Sequence, residues 1–261
     1  MPDSSPVREL TRADYCAIAL AECFRGDGEI LANPIGTLPM IGGRLARATF
    51  EPDLAMTDSE ALLIANDQAY SWGDSKIIET YNPYRSMFDV AYSGRRHVIM
   101  GASQLDVFGN QNLAAIGADY SRPKRQLLGF RGAPGNTVCN KTSYWIPNHS
   151  RLVFVEHVDV VTGVGWDRAI AAGRVVTQSF DLNCVVTNLA VLDWNTTDHR
   201  MRIRSVHPGT SVEQVLNATG FELVVPDDVL ETRSPTPREL EILSQTVDPE
   251  GRRHGEVAEP A

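Results

Sequence analysis

The feature that most constrains the fold is an alternation of helical and extended segments near the N-terminus, joined by short turns. Helical patterns cover 15–24 and 40–49, with Gly42-Gly43 in the second allowing close packing, and strand patterns cover 29–32 and 54–57. Short connections between alternating helices and strands favour parallel strand pairing. The N-terminal region therefore predicts a parallel sheet covered by helices.

The rest of the chain has a less regular pattern, with helix predicted at 85–92 and strand at 97–101 and 152–161. Apolar segments at 185–194 and 201–206 flank a polar turn and predict an antiparallel hairpin. The remaining predicted elements are a helix capped by Ser211 through 218, a strand at 221–225 and a helix at 237–247. The predicted fold class is α/β, with an open, mostly parallel sheet, flanking helices and a C-terminal antiparallel hairpin.

The chain shows no internal repeat and no low-complexity linker, which favours one domain. We place this domain at 11–248, between a flexible N-terminal tail at 1–10 and a charged, disordered C-terminal tail at 249–261.

Composition excludes several classes of function. A formal net charge of −9 over 261 residues argues against nucleic-acid binding, which requires a basic patch. No apolar run approaches the length of a membrane span, and the N-terminus lacks a signal peptide. The four cysteines have no metal-ligand spacing. We therefore expect a cytoplasmic protein without a metal site and without a membrane or nucleic-acid partner.

Two glycine-rich and asparagine-rich segments differ from ordinary core. The segment 101–112 contains Asn110 and Asn112, which either contact a ligand or satisfy a tight turn. The loop 128–137 has glycine at every third position from Gly129 to Gly135. Its backbone amides either stabilise a thioester oxygen that becomes negative in a transition state or belong to a plain turn.

A third segment, Thr57-Asp-Ser-Glu-Ala61, places carboxylates directly after the strand predicted at 54–57. In an open α/β sheet, ligands bind at the carboxyl ends of strands. Glu60 is therefore a candidate nucleophile or base, with a helix-start residue as the alternative.

Further candidates allow two interpretations each. Arg95, Arg96 and His97 either contact a phosphate of coenzyme A or form a solvated turn. Tyr144 and Trp145 either line an apolar pocket or lie at a subunit interface.

Taken in order, these segments resemble the β subunits of class I coenzyme A transferases of the glutaconate CoA-transferase type, over about 11–248. The motifs that carry the resemblance are Arg44-Leu-Ala-Arg47 before Pro52-Asp53, Gln-Leu-Asp-x-x-Gly-Asn-x-Asn at 104–112, the loop 129–136, and Val215-x-x-x-Thr-Gly-Phe-Glu222. In that family a glutamate after the second strand attacks the acyl-CoA. Counting from Pro52-Asp53 without gaps, the matching position is Ser59, and Glu60 lies one residue later.

A second set of motifs resembles the β subunits of actinobacterial cholesterol ring-cleaving hydrolases. These motifs are Thr57-Asp-Ser-Glu-Ala61, Gly94-Arg-Arg-His-Val98, Arg131-Gly-Ala-Pro-Gly-Asn136, Thr142-Ser-Tyr-Trp145 and Asp198-His199. The resemblance implies hydrolytic ring cleavage of a cyclic β-keto acyl-CoA, with the main catalytic carboxylate on a partner α-type subunit and an α2β2 heterotetramer. It implies coenzyme A as part of the substrate and no permanently bound cofactor.

The predicted site follows from this resemblance, with Glu60 as its catalytic candidate. The predicted substrate-binding residues are Ser59, Asn110, Asn112, Gly132, Ala133, Gly135, Asn136, Tyr144 and Trp145. A true CoA transferase and a non-catalytic ligand-binding or scaffolding subunit are the alternative functions.

Overall fold

The computed structural model describes residues 9–57, 62–65, 76–117 and 119–257. Its helices lie mainly where apolar residues recur with helical spacing. They are α1 (Arg12–Glu22), α2 (Thr37–Thr49), α3 (Tyr84–Ser93), α4 (Ala133–Cys139), α5 (Trp166–Ala172), α6 (Arg174–Thr177), α7 (Val212–Ala218) and α8 (Pro237–Ile242), followed by a π-helical turn, Leu243–Val247, and a 3-10 helix, Arg252–Gly255.

The strands are short and fall into one large sheet and two small ones. In chain order they are β1 (Leu31–Pro34), β2 (Ala55–Thr57), β3 (Leu62–Ile64), β4 (Ile78–Tyr81), β5 (Arg96–Met100), β6 (Gln104–Leu105), β7 (Gln111–Asn112), β8 (Ala115–Ile116), β9 (Arg125–Gln126), β10 (Lys141–Ile146), β11 (Leu182–Thr187), β12 (Ala190–Asp193), β13 (Arg202–Val206) and β14 (Leu230–Glu231).

The large sheet has ten strands among the described residues, in the order β14-β13-β12-β11-β10-β5-β1-β2-β3-β4. Its central strands β11, β10, β5, β1 and β2 pair in parallel. The predicted parallel sheet is therefore confirmed. Strands β12 and β13 form the predicted C-terminal hairpin, and β2, β3 and β4 add an antiparallel meander at the other edge.

Each face of the sheet carries its own apolar cluster, because successive strand residues point to opposite faces. On β5, Ile99 belongs to the cluster under α1 and α2, whereas Val98 and Met100 belong to the cluster on the opposite face. The parallel centre is consequently buried on both sides, as parallel sheets require.

Helices α1 and α2 cross at an unusually close distance, which depends on Gly42. A methyl group at this position would lie 2.7 Å from Cβ of Leu20 and 3.0 Å from the Leu20 carbonyl carbon. The sequence predicted this role, since a paired glycine in a helix allows close helix packing.

The C-terminal segment differs from the predicted disordered tail over the part that the structure describes. The guanidinium group of Arg253 is buried, with Nε 2.9 Å from Oδ1 of Asp14 and Nη1 2.7 Å from Oδ2 of Asp248. Glu256 accepts hydrogen bonds from the backbone amides of Thr37 and Leu38 at the start of α2. Buried charges of this kind are held by partners within the fold, and a charged composition alone did not reveal those partners.

Two predicted strands are wrong. Residues 152–161 and 221–225 form turns that contribute only isolated bridges, Leu105 with Phe154 and Arg202 with Val224. Their apolar residues serve packing rather than strand pairing, since Phe154 is fully buried and its ring stacks on His149 at 4.0 Å. Apolar runs of this length do not distinguish a strand from a packed loop.

Within the described ranges, every helix is too short or too polar to cross a membrane.

Replacing Gly42 with alanine is expected to lower the free energy of unfolding by about 1–3 kcal/mol, because the added methyl forces α1 and α2 apart. Chemical denaturation measures this effect. The matched control is Gly135→Ala, another helical glycine, whose added methyl meets no atom within 4 Å. Equal stability of the two variants would contradict the close-packing argument.

Two of the buried histidines, His149 and His207, are neutral hydrogen-bonding groups with strongly lowered pKa values. His149 contacts the hydroxyl groups of Thr187 and Thr219 at 3.1 and 2.9 Å, and burial lowers its pKa to about 3. His207 contacts the Thr232 hydroxyl and the Thr187 carbonyl, and burial lowers its pKa to about 4. Neither ring contributes a positive charge near neutral pH.

These shifts predict loss of stability on acidification. In the unfolded chain both imidazoles bind protons near their ordinary pKa of about 6.5, whereas the folded ones stay neutral. Unfolding therefore takes up protons below about pH 6.5, and the free energy of unfolding should fall by about 2 kcal/mol per pH unit near pH 5.5. Denaturation at several pH values tests this slope.

His149→Gln should reduce that slope by about 1 kcal/mol per pH unit, since one buried histidine that takes up a proton on unfolding is removed. His157→Gln is the matched control, because His157 is exposed. A wild-type stability that stays constant from pH 7 to pH 5 would contradict the prediction.

Candidate functional site

A cavity of about 770 Å³ opens at the carboxyl ends of β1 and β2. Three further elements close it: α3, the loop before α4, and the side chain of Arg96 from β5. Its lining consists of Asn33, Pro34, Ile35, Gly36, Met40, Thr57, Tyr84, Phe88, Ala91, Tyr92, Arg96, Arg131, Gly132, Pro134, Gly135 and Asn136. Ligands of open α/β sheets bind in this position.

Arg96 is the main charge inside the cavity wall. Its residue is 6% exposed, and its guanidinium group donates to the side-chain oxygens of Asn33 and Asn136. Its Nε has no hydrogen-bond partner among the described residues, and no described carboxylate pairs with it. Burial lowers the pKa of this guanidinium, which nevertheless remains charged at neutral pH. A buried, uncompensated cation favours an anionic ligand.

The glycine loop lies beside Arg96, and four predicted site residues fall in it. Gly132, Gly135 and Asn136 line the cavity, whereas Ala133 is buried at the first position of α4. Helix α4 begins inside this loop. Its first turn places Asn136 against both Arg96 and Sδ of Met100.

An aromatic stripe on α3 forms the opposite wall. Tyr84, Phe88 and Tyr92 follow one another at four-residue spacing, which places them on one side of the helix. They are 78%, 65% and 73% exposed. The cavity thus has a polar wall with a cation and an apolar wall open to the surroundings.

Asn110 and Asn112 lie outside the cavity lining. The side chain of Asn110 donates hydrogen bonds from Nδ2 to the carboxylates of Asp106 and Asp167, and its Oδ1 accepts one from the backbone amide of Gly165. All three distances are 2.8–2.9 Å. The Asn112 amide is used in the same way within its own turn. Both amides are thus used within the fold, that of Asn112 locally and that of Asn110 through both its own turn and the segment 165–167, and substrate contact by these two residues stays a prediction.

Tyr144 and Trp145 are also separate from the cavity. They are neighbours on β10, so they point to opposite faces of the sheet and join different apolar clusters. Trp145 donates from Nε1 to Glu256 at 3.2 Å, and the Tyr144 hydroxyl is buried without a partner among the described atoms. One pocket cannot be lined by both rings in this arrangement.

Ser59 and Glu60 lie outside the described residues. Thr57, the last residue of β2, lines the cavity. The catalytic assignment of Glu60 and substrate contact by Ser59 stay predictions.

Arg96 and His97 do not form the solvated turn that was one interpretation of the sequence. His97 is fully buried, with Nδ1 2.6 Å from Oδ2 of Asp27 and Nε2 2.9 Å from Oγ of Ser143. Burial lowers the pKa of His97, although Asp27 opposes this effect. For Asp27, burial raises the carboxyl pKa, but contacts with His97 and Lys141 lower it overall. In the sequence Arg95-Arg96-His97, the first residue is exposed and the other two are buried, a difference that the sequence pattern does not show.

Sequence reasoning missed most of the cavity wall. Asn33 begins the sequence Asn33-Pro-Ile-Gly36, which is typical of an ordinary turn, and no neighbouring residue marks Asn33 as part of a site. The four-residue spacing of Tyr84, Phe88 and Tyr92 was a usable signal, because three aromatic residues on one exposed helix face are unusual.

The described residues contain no group of three or more His, Cys, Asp or Glu side chains placed to hold a metal ion.

The fold and this site define a class of protein. The family model of coenzyme A transferase matches residues 76–218, and the chain belongs to that family. It is 48% identical over 255 residues to the cholesterol ring-cleaving hydrolase IpdB subunit of Rhodococcus jostii RHA1, covering 98% of this chain and 99% of that protein. It is 30% identical over 252 residues to a 3-oxoadipate CoA-transferase subunit of Pseudomonas knackmussii, covering 90% of this chain and 92% of that protein.

The structural comparison agrees with the sequence comparison. The crystal structure of Rhodococcus jostii RHA1 IpdAB superposes with a TM-score of 0.91 at 48% identity, covering 96% of this chain and 100% of that chain.

Proposed function

We propose that this chain is the β-type subunit of a heteromeric enzyme that cleaves a ring in a cyclic β-keto acyl-CoA during steroid catabolism, in a cholesterol-type pathway. The observation that carries the proposal is the near full-length identity of 48% to a cholesterol ring-cleaving hydrolase subunit. The cavity supports it, because it combines a buried cation, glycine-loop amides and an aromatic wall. These features suit an anionic thioester with an apolar ring.

The proposed reaction is hydrolytic. A general base activates water, which adds to the ring ketone, and the bond to the carbon next to the thioester then breaks in a retro-Claisen sense. The electron pair of that bond becomes a thioester enolate, which takes up a proton, and the former ketone becomes a carboxylate. We assign oxyanion stabilisation to the loop 132–136 and the main catalytic carboxylate to a partner subunit.

The exposed apolar surface supports a partner of the α type. Besides Tyr84, Phe88 and Tyr92 on α3, the preceding strand β4 carries Ile78 and Tyr81, which are 54% and 65% exposed. Large exposed apolar surfaces mark protein interfaces. A partner on this side would close the cavity, and we propose that the two subunits form an α2β2 heterotetramer.

We further propose that coenzyme A enters only as part of the substrate and that the enzyme holds no permanent cofactor. A cytoplasmic location is supported by the cysteines, since no disulfide joins any of the four, all of which the structure describes, and reducing compartments keep thiols from forming disulfides.

The second candidate is a true CoA transferase, favoured by the 30% identity to a 3-oxoadipate CoA-transferase subunit. The third is a non-catalytic ligand-binding or scaffolding subunit, against which the lined cavity and its cation argue.

Replacing Arg96 with glutamine is expected to raise the KM for the CoA thioester by about 10- to 100-fold, because a charge-assisted contact in a buried site is lost. Arg95→Gln is the matched control, since the neighbouring Arg95 is exposed. Steady-state kinetics of the assembled enzyme measure both. An unchanged KM in Arg96→Gln would remove Arg96 from the binding site.

Co-expression with an α-type subunit is expected to yield ring-opened CoA product from a cyclic β-keto acyl-CoA, whereas this chain alone yields none. Product is identified by mass spectrometry in a panel of thioesters.

Trapping with acyl-CoA and borohydride separates the alternatives: a covalent glutamyl adduct would support the transferase. Glu60→Ala with near-normal turnover would remove Glu60 from the catalytic set.

A further inference from the structure

A second cavity, of about 200 Å³, lies on the other side of β10, away from the candidate substrate site. Two cysteines from distant parts of the chain form part of its wall, Cys23 after α1 and Cys184 on β11. Their Sγ atoms are 3.3 Å apart and unbonded. The remaining wall includes Arg204 and Arg233.

We propose that Cys23 and Cys184 form a reactive dithiol site that a hydroperoxide converts into an intramolecular disulfide. The two sulfur atoms would have to approach by about 1.2 Å to reach bonding distance. Cys23 lies immediately after the last residue of α1, where a helix end has more freedom to move than its centre.

A hydrogen-bonded chain leads from this thiol pair to a base. The Cys184 thiol lies 3.7 Å from Oγ of Ser143, and that hydroxyl contacts Nε2 of His97 at 2.9 Å. His97 in turn is held by Asp27 through Nδ1. The proton of the Cys184 thiol can therefore pass through Ser143 to the imidazole, which Asp27 stabilises when it becomes charged.

The surroundings distinguish the two thiols. A hydrogen bond from Cys23 lowers the pKa of Cys184, burial opposes this, and Ser143 and Arg204 add to the lowering. The same contact and burial raise the pKa of Cys23. The contacts of the two sulfur atoms make Cys184 the attacking thiolate and Cys23 the resolving thiol. The Cys184 sulfur contacts the Ser143 hydroxyl and accepts from the side-chain amide of Asn183 at 3.6 Å, whereas the Cys23 thiol donates to the Ala19 carbonyl.

The chemistry balances with a hydroperoxide as oxidant. The Cys184 thiolate attacks a peroxide oxygen and the O–O bond breaks, which gives a sulfenic acid and, with hydrogen peroxide, one water. Cys23 sulfur then attacks Cys184 sulfur, the S–O bond breaks, and the Cys23 proton leaves with the hydroxide as a second water. Two thiols lose two electrons in total, and the peroxide gains them.

The role of the other cysteines provides internal controls. Cys16 is buried against His207 and the Thr187 carbonyl, and Cys139 is partly exposed. Neither lines this cavity. A reaction governed by exposure alone would consume Cys139 first, whereas the proposed site consumes Cys23 and Cys184 as a pair.

The test is peroxide titration of the folded full-length chain at pH 7, followed by alkylation and peptide mapping under non-reducing conditions. The expected result is loss of two of the four thiols, a cross-linked peptide joining Cys23 to Cys184, and full reversal by dithiothreitol. Cys139→Ser should behave like the wild type. A mapping that finds Cys139 oxidised while Cys23 and Cys184 remain reduced overturns the proposal.

Variants then test the order of events. Cys23→Ser should accumulate a sulfenic acid on Cys184 that dimedone traps, and Cys184→Ser should accumulate none on Cys23. Ser143→Ala should slow disulfide formation about tenfold at pH 7, because the proton path to His97 is removed. The difference in rate from the wild type should shrink as the pH rises, because the thiol then loses its proton without that path. Trapping on Cys23 rather than Cys184 would overturn the assignment, and the wild-type mapping stands even where a variant fails to fold.

Discussion

The candidate site depends on the parallel pairing of β1 with both β2 and β5. Register places Leu31 of β1 beside Ala55 of β2 and Arg96 of β5. Because the three strands run in one direction, Asn33 and Thr57 reach the same end of the sheet, and the long side chain of Arg96 extends up to Asn33. A shift of one residue in β5 would turn Arg96 to the other face and replace it with His97.

The energetic cost of the site is concentrated in that arginine. A buried guanidinium with no carboxylate partner among the described residues is unfavourable to fold, and its bonds to two asparagine oxygens offset only part of the loss of hydration. Apolar packing on both faces of the sheet tolerates such a residue. The proposed binding of an anionic thioester would supply the partner that Arg96 lacks among the described residues.

Sequence patterns predicted what depends on local spacing. The helix over 15–24, the hairpin near 195–199 and the close contact at Gly42 each arise from periodicity, turn chemistry or residue size, and each is present. The glycine loop was recognised because its composition is unusual. Of its predicted residues, Gly132, Gly135 and Asn136 do line the cavity.

The failures share a cause, which is that long-range partners are invisible in a local pattern. The sequence around His97 is compatible with a solvated turn, because the partners that bury it, Asp27 and Ser143, lie 70 and 46 residues away in the chain. Tyr144 and Trp145 were grouped as adjacent aromatic residues, although adjacency on a strand separates side chains. A short apolar run at 152–161 carried no information about whether another strand would be available to pair with it.

The contacts of the C-terminal segment bear on the order in which the protein matures on the ribosome. Arg253 neutralises Asp14 across 239 residues of chain, and Glu256 binds the first amides of α2. The ion pair between Asp14 and Arg253 and the hydrogen bonds from α2 to Glu256 therefore form only after nearly all of the polypeptide has been synthesised. The first two helices to be synthesised are therefore among the last to gain all of their contacts, and the N-terminal layer of a nascent chain would stay incompletely packed until translation ends.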